Sequence, residues 1–487
     1  MARTEAGASA VLRALAREPV SLPPLNLARG GRPPRVTAGL LPSERDLVIA
    51  EFLTKADTNP PTPWTGSALV HREHAPAYFQ YPAMMSPVVQ RDLLRLILTV
   101  APASNSVVDP FCGSGTVLTE AMYAGLECWA SDLNPLAVLL CQVKAGDYVS
   151  DVLARRRQDL LRSVAADRSR AIETSLPNWR KWFRAKAARQ LSALRRAIRR
   201  IRDLGARRFF WACLAETVRL TSNSRTSTYK LHIRTAEEIE RAPWPFDVFA
   251  QVSEANIEKH RRVGDRLRRL DHLKRARYSK RLEIRRQDAR IGLPRVFDIL
   301  MTSPPYGDNS STVPYGQNAF LPLHWIDLGD IDDELSSAVL NTAYEIDRMS
   351  LGGQRPRWKD VEKVRVLRKY SPALDQLLRR LARKPHDRTT RVVGFVRDLA
   401  TALPKLLSAV RVNGYLVWTI GNRRVGGLEV PLTEILTELL CQRSAILVGR
   451  CARRIPQKRM AVRNSISATI RAEHLLVFRK VPATPVQ

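Results

Sequence analysis

Acidic residues, histidine and paired cysteines are what this sequence has least of. Against 79 Lys and Arg it sets only 47 Asp and Glu, for a formal net charge of +32 and a pI near 10.7. A surplus of that size predicts a polyanionic partner; an evenly spread surplus would mean only a well-solvated surface. The six cysteines, at positions 112, 128, 141, 213, 441 and 451, form no CxxC, and there are only eight histidines. No metal site is therefore expected, and the cysteines read as reduced thiols of a cytoplasmic protein. No apolar run approaches the ~20 residues a membrane span needs, so no membrane partner is expected. Neither GxGxxG nor GxxxxGK[ST] occurs, which weakens the dinucleotide and P-loop readings. Internal repeats are also missing. What remains is a chain long enough for two or three domains and a large core.

The stretch from Val107 to Thr116 organises it. Val107 and Val108 begin a strand, and Asp109-Pro110-Phe111-Cys112-Gly113-Ser114-Gly115-Thr116 makes a glycine turn. A helical run follows from Val117 to Gly125, then a second short strand, Cys128 to Asp132. Strand, glycine turn, helix and strand ending in an acid is the arrangement that holds the nucleoside end of a cofactor in doubly wound folds. Pro135 opens a further helix through Leu140. The next suitable strand comes only at Arg281–Arg285, followed by Asp288, then by Phe297–Leu300 leading into Ser303-Pro304-Pro305-Tyr306. Connections in compact folds are usually short, so residues 146–280 read as an insertion.

That insertion carries the charge. Residues 151–290 hold 37 Lys and Arg against 16 Asp and Glu, an excess of 21. Its helices include the cluster Arg195, Arg196, Arg199 and Arg200, and the run is interleaved with Trp179, Trp182, Phe183, Trp211 and Tyr229. The loop Ser222–Lys230 adds short polar donors. Backbone neutralisation dominates nucleic-acid affinity, and polar donors position or specify, so this segment is expected to bind nucleic acid. The domain plan is then a flexible basic arm at 1–45, a first core part at 46–145, the basic helical insertion at 146–280, a second core part at 281–480 with a lid-like region at 307–394, and a tail at 481–487. The later elements read as a helix from Phe395 to Val412, a buried strand Gly414–Asn422, a helix Pro431–Leu440, and an antiparallel pair, Ala445–Val448 and His474–Phe478. Arg453–Arg459 reads as a basic hairpin loop facing phosphates or solvent, and His324 as structural.

Two of these motifs, in this order, resemble the amino-group methyltransferases that act on DNA and RNA. Asp109 to Thr116 with Asp132-Leu133-Asn134-Pro135 is similar to their S-adenosylmethionine loop, and Thr302-Ser303-Pro304-Pro305-Tyr306 looks like the catalytic motif of enzymes that methylate exocyclic amines. Tyr78–Pro82 and the helix after Ser86 resemble the part that packs on the methionine end of the cofactor. The resemblance implies an α/β fold, a Rossmann-like seven-stranded methyltransferase sheet carrying the basic insertion. It implies that Asp109, Phe111, Gly113, Ser114, Gly115, Thr116, Asp132 and Asn134 form the cofactor site, with Asp288 at the adenine amine. It implies Ser303, Pro304, Pro305 and Tyr306 as catalytic. In the family, Ser at the first motif position usually accompanies cytosine N4, and Asp or Asn adenine N6. The expected activity is therefore methylation of cytosine N4 in double-stranded DNA, with possible partner restriction or defence proteins. N6-adenine methylation, guanine-N2 methylation of RNA, and a silent nucleic-acid-binding protein remain alternatives. Carbon-5 methylation would need a Pro-Cys pair, and the chain has none.

Overall fold

A computed structural model of the chain describes residues 41–58, 64, 77–308, 312–382, 386–454 and 472–482. At its centre is β1, Ser106–Asp109, whose four residues are all buried. Consecutive apolar valines suit a strand covered on both faces, as in parallel sheets. It pairs in parallel with β2, Glu127–Asp132, on one side. On the other it pairs in parallel with a strand far downstream in the chain, Phe297–Thr302. The third strand, β3, Leu282–Arg286, lies outside β2, so Phe297–Thr302 is β4. Then come β5, Val410–Ile420, β6, Ala445–Arg454, and β7, Ala472–Lys480. β7 runs antiparallel between β5 and β6, giving a seven-stranded sheet in the order β6-β7-β5-β4-β1-β2-β3. The Rossmann-like α/β reading and the antiparallel edge are both found. Strand order reverses between β1 and β4, and ligand clefts of such sheets open at that switch point.

Helices cover both faces. α1, Pro42–Thr58, packs on β6, and α2 spans Pro87–Val100. α3 is Thr116–Tyr123 and α4 is Pro135–Lys144. The insertion supplies α5, Ser150–Ala166; α6, Ala185–Arg199; α7, Leu204–Thr221; and α8, Pro245–Arg269. Beyond β4 lie α9, Tyr315–Leu323, and the short α10, Glu345–Met349. The closing helices are α11, His386–Ser408, and α12, Leu432–Cys441.

Several expectations need correction. The arm read as 1–45 ends earlier: residues 1–40 lie outside the described residues, but 42–45 already belong to α1. Pro42 takes the first helical position, and Glu44 reaches back to accept from the Leu41 amide at 2.7 Å, half of a capping box. Asp46 then anchors the helix to the sheet by pairing with Arg479 at 2.8 Å. The helix expected through Val412 stops at Ser408, because β-branched Val410 and Val412 join β5 beside β4. Arg453 is on β6, not in a loop, and is buried; residues 455–471 lie outside the described residues.

The insertion's aromatics and arginines also differ from expectation. Phe183 and Trp211 are 1% and 0% exposed and form core with Phe209, Phe210 and Phe249. Each buried side chain of this kind contributes about 1.5–3 kcal/mol. That core is continuous with α4 and with α9, so the insertion is built onto the sheet domain. Arg195 pairs with Asp327 at 2.6 Å, Arg196 with Asp167 and Glu173 at 2.9 Å, and Arg199 with Asp327 at 2.8 Å. Arg200 donates to Ser163 at 3.2 Å. These guanidiniums stitch α6 to neighbouring segments. An amphipathic helix with a basic stripe reads the same in sequence whether its partners are phosphates or distant carboxylates.

Candidate active site

The chain leaves β1 at Asp109, whose side chain is fully buried. Its Oδ1 accepts from the Phe111 amide at 3.1 Å and from the Thr302 hydroxyl at 2.6 Å. Its Oδ2 has no hydrogen-bond partner among the described residues. Burial pushes this carboxyl up to about 7, with the nearby Asp132 charge adding to the rise. Gly113 and Gly115 follow at φ 48° and 77°, a region side chains disfavour. A Cβ on Gly115 would sit 2.9 Å from Cys141 Sγ, so the turn presses against α4. Cys112 is buried, with its sulfur 3.5 Å from that of Cys141, and both remain free thiols.

Asp132 ends β2 and holds the turn. Its Oδ2 accepts from the Gly113 amide and its Oδ1 from the Asn134 amide, each at 2.9 Å. Burial raises its carboxyl, against the lowering effect of those amides. Asn134 caps α4 by accepting from Leu136 at 3.1 Å, and donates to the Tyr81 hydroxyl at 3.2 Å.

A cleft of about 810 Å³ opens beside these groups. Phe111, Gly113, Ser114, Thr116, Asp132, Asn134, Asp288, Ser303 and Pro305 all line it. Asp109, fully buried, lies behind this wall, and Gly115, Pro304 and Tyr306 adjoin residues that line it. Asp288 follows β3 with its carboxylate gripped by Arg290 at 2.6 Å. Sequence reasoning missed Gln287, Ile346 and Leu351, which also line the cleft, as does Tyr315 of the loop expected to border the site. Ile346 and Leu351 come from the region read as a lid, where no periodicity or motif marks them. Tyr315 stands 5.6 Å from Tyr81, centroid to centroid, at 31° between the ring planes. His324 is structural: buried, it bonds Ser175 at 2.8 Å, and burial lowers it to about 4.

At the end of β4, Ser303 Oγ lies 3.3 Å from Tyr306 Oη. Tyr306 donates in turn to Glu473 Oε1 at 3.3 Å. Arg453 donates to Glu473 Oε2 through Nε at 2.9 Å and Nη2 at 2.5 Å, and through Nη1 to the Trp64 carbonyl at 3.1 Å. Glu473 was not foreseen, since nothing in a strand sequence marks which neighbour its end residue meets. The loop Ser222–Lys230 of the insertion comes close to the same region. Leu231, just after it, donates its amide to Gln317 of α9 at 3.2 Å, and a second, smaller recess lies between the loop, Gln80 and α9.

A seven-stranded sheet of this order, with a glycine turn, an acid and Ser-Pro-Pro-Tyr gathered at one switch-point cleft, defines an S-adenosylmethionine-dependent methyltransferase. Comparison with known proteins sharpens this. The chain is 30% identical over 410 residues to the Type II methyltransferase M.MvaI of Kocuria varians, covering 82% of this chain and 86% of that protein. The chain belongs to the type II methyltransferases and is a DNA methyltransferase. The family profile of D12 class N6 adenine-specific DNA methyltransferases matches residues 90–209. Among solved structures, the rRNA methyltransferase aviRa from Streptomyces viridochromogenes aligns over 85% of this chain and 91% of its own length at 13% identity. Its TM-score of 0.26 is too low for that likeness to bear on the substrate.

The family's methyl donor is S-adenosylmethionine, and the cleft suits it. Gly113 lines the cleft without a side chain to obstruct it, Asp132 is only partly buried at the cleft wall, and Met84, Met85, Phe111 and Leu351 supply apolar surface. No helix among the described residues is long and apolar enough to cross a membrane, and no cluster of metal-ligating side chains is found among them.

Proposed function

We propose that this enzyme methylates the N4 amine of cytosine in double-stranded DNA, as the modification arm of a restriction or defence system. The observation that carries this reading is Ser303, which lines the same cleft as the glycine turn, just past the end of β4. An exocyclic amine is a weak nucleophile because its lone pair is delocalised into the ring. Acceptors for its hydrogens draw that pair back toward the nitrogen. The Ser303 hydroxyl and the Pro304 carbonyl are such acceptors, and Pro304 and Pro305 stiffen the turn that carries them. Tyr306 offers a ring to stack on the base. The target amine is out of reach inside a duplex, so the base is flipped out. When bound, the cofactor supplies a sulfonium methyl group as the electrophile. Asp132 would take the ribose hydroxyls and Asp288 the adenine amine. Phe111, Gly113, Ser114, Thr116 and Asn134 would shape the pocket, while Asp109 and Gly115 hold the turn from behind.

The insertion, residues 146–280, is the DNA-reading part in this account, through its loop Ser222–Lys230 beside α9. Arg225 and Lys230 make no side-chain ion pair among the described residues, unlike the paired arginines of α6. Adenine N6 is the second reading, favoured by the D12 profile. That match ends at residue 209, however, well before the motif at 303–306 that meets the base. The test is transfer of label from the cofactor to duplex DNA, single-stranded DNA and RNA offered separately. Label in duplex DNA supports the proposal, and label in RNA alone overturns it.

A further inference from the structure

The hydrogen-bond chain behind the cleft has a direction. Glu473 sits at the start of β7 and ends in a carboxylate, which only accepts. Arg453 occupies one of its oxygens with two N–H donors. The other oxygen accepts from Tyr306, whose single hydroxyl hydrogen is then committed. Tyr306 can therefore only accept from Ser303, 3.3 Å away. The Ser303 hydrogen is in turn drawn toward Tyr306, which leaves the lone pairs of Ser303 Oγ facing elsewhere. Arg453 is 9% exposed and held by the Trp64 carbonyl, and the Trp64 indole donates to Asp92 of α2 at 3.0 Å. The far end of the chain is thus fixed in the core.

We propose that Glu473 is a positioning residue that sets the polarity of this chain, so that Ser303 meets the target amine only as a hydrogen-bond acceptor. The inference rests on the reading of Ser303 given above and deepens it. An amine about to be methylated carries hydrogens that need acceptors; a serine free to rotate would part of the time point its own hydrogen at the nitrogen lone pair. The charge at Glu473 removes that option from two hydrogen bonds away. The tyrosine phenol, raised well above its usual range by burial and then by Glu473 itself, keeps its proton and stays a donor.

Glu473→Gln separates polarity from packing. Arg453 would continue to donate to the glutamine oxygen, which turns the amide nitrogen toward Tyr306. The chain then reverses: glutamine donates to tyrosine, tyrosine to serine, and the Ser303 hydrogen points at the amine. Single-turnover methyl transfer at saturating cofactor and duplex DNA should fall about tenfold or more, with cofactor affinity within about twofold of wild type. Tyr306→Phe keeps the ring but cuts the chain, and should itself lower the rate about tenfold. In the Tyr306→Phe background, Glu473→Gln should have no further effect, a coupling that a merely structural role would not produce. A Glu473→Gln enzyme as fast as wild type, or equally impaired with and without the Tyr306 hydroxyl, overturns the proposal. If Glu473→Gln does not fold, Tyr306→Phe at wild-type speed overturns it alone. Ser303→Ala distinguishes the two layers: full activity there refutes the reading of Ser303, whereas loss there with normal Glu473→Gln turnover refutes only the polarity.

Discussion

Thr302 donates its hydroxyl to Asp109 Oδ1 across 2.6 Å, and both side chains are fully buried. This single bond joins the strand that carries the cofactor turn to the strand that carries Ser303, one residue before the motif begins. It accounts for Asp109 better than direct cofactor contact does, since Asp109 lies behind the cleft wall. Thr302→Val keeps the shape and removes the donor. Stability should fall by about 1–3 kcal/mol, the cost of a buried acceptor losing its partner, and turnover should fall with it. Chemical denaturation and single-turnover rates check both. An unchanged rate would mean that the two strands keep their register without this bond.

Glu120 of α3 is 2% exposed, with no hydrogen-bond partner for either oxygen among the described residues. Burial pushes its carboxyl up to about 7, against the pull of Arg266, Arg91 and Arg95. A carboxyl raised in the folded state favours folding below its ordinary value near 4.5, and that contribution is lost as pH rises through about 7. Glu120→Gln removes the loss. Relative to wild type, the variant should gain about 2 kcal/mol of stability between pH 5 and pH 8. Parallel pH profiles for the two proteins would show that Glu120 is charged and compensated in the folded state.

Asp132→Ala should weaken S-adenosylmethionine binding by about 1.5–3 kcal/mol for each ribose hydrogen bond lost. Because Asp132 also accepts from Gly113 and Asn134, a modest drop in melting temperature should accompany it. Calorimetric affinity equal to wild type would remove Asp132 from the cofactor site.

The charge of the insertion should divide by partner. Replacing Arg195 and Arg196 with Ala breaks ion pairs to Asp327, Asp167 and Glu173. It should cost stability while leaving the salt dependence of DNA binding alone. Arg225→Ala and Lys230→Ala should each reduce the slope of log affinity against log salt by about one. The opposite pattern would return DNA contact to α6 and remove it from the loop.

These contrasts mark what was legible in the chain. The cofactor turn, Asp132 and the Ser303 motif depend on neighbours a few residues apart, and strand β1 announces itself by buried valines, so the heart of the sheet could be read directly. Arg453 and Glu473 are 20 residues apart, and Arg195 and Asp327 are 132 apart; only the folded chain shows that these charges neutralise each other instead of facing a phosphate. Trp211 looked like one of several aromatics among basic residues, yet it is core, with its indole donating to Asp330 at 2.7 Å. Residue type alone does not reveal whether an aromatic beside arginines in sequence meets solvent or the core. Leu351 reaches the cleft from an irregular stretch after α10, and Tyr315 from the first turn of α9, with no motif to single out either.

The most direct test of the central claim is the identity of the methylated nucleoside. Duplex DNA incubated with the enzyme and S-adenosylmethionine, digested and resolved by mass spectrometry, should contain N4-methylcytosine, and the Ser303→Ala enzyme should produce far less of it. N6-methyladenine without N4-methylcytosine would contradict the account's choice of base.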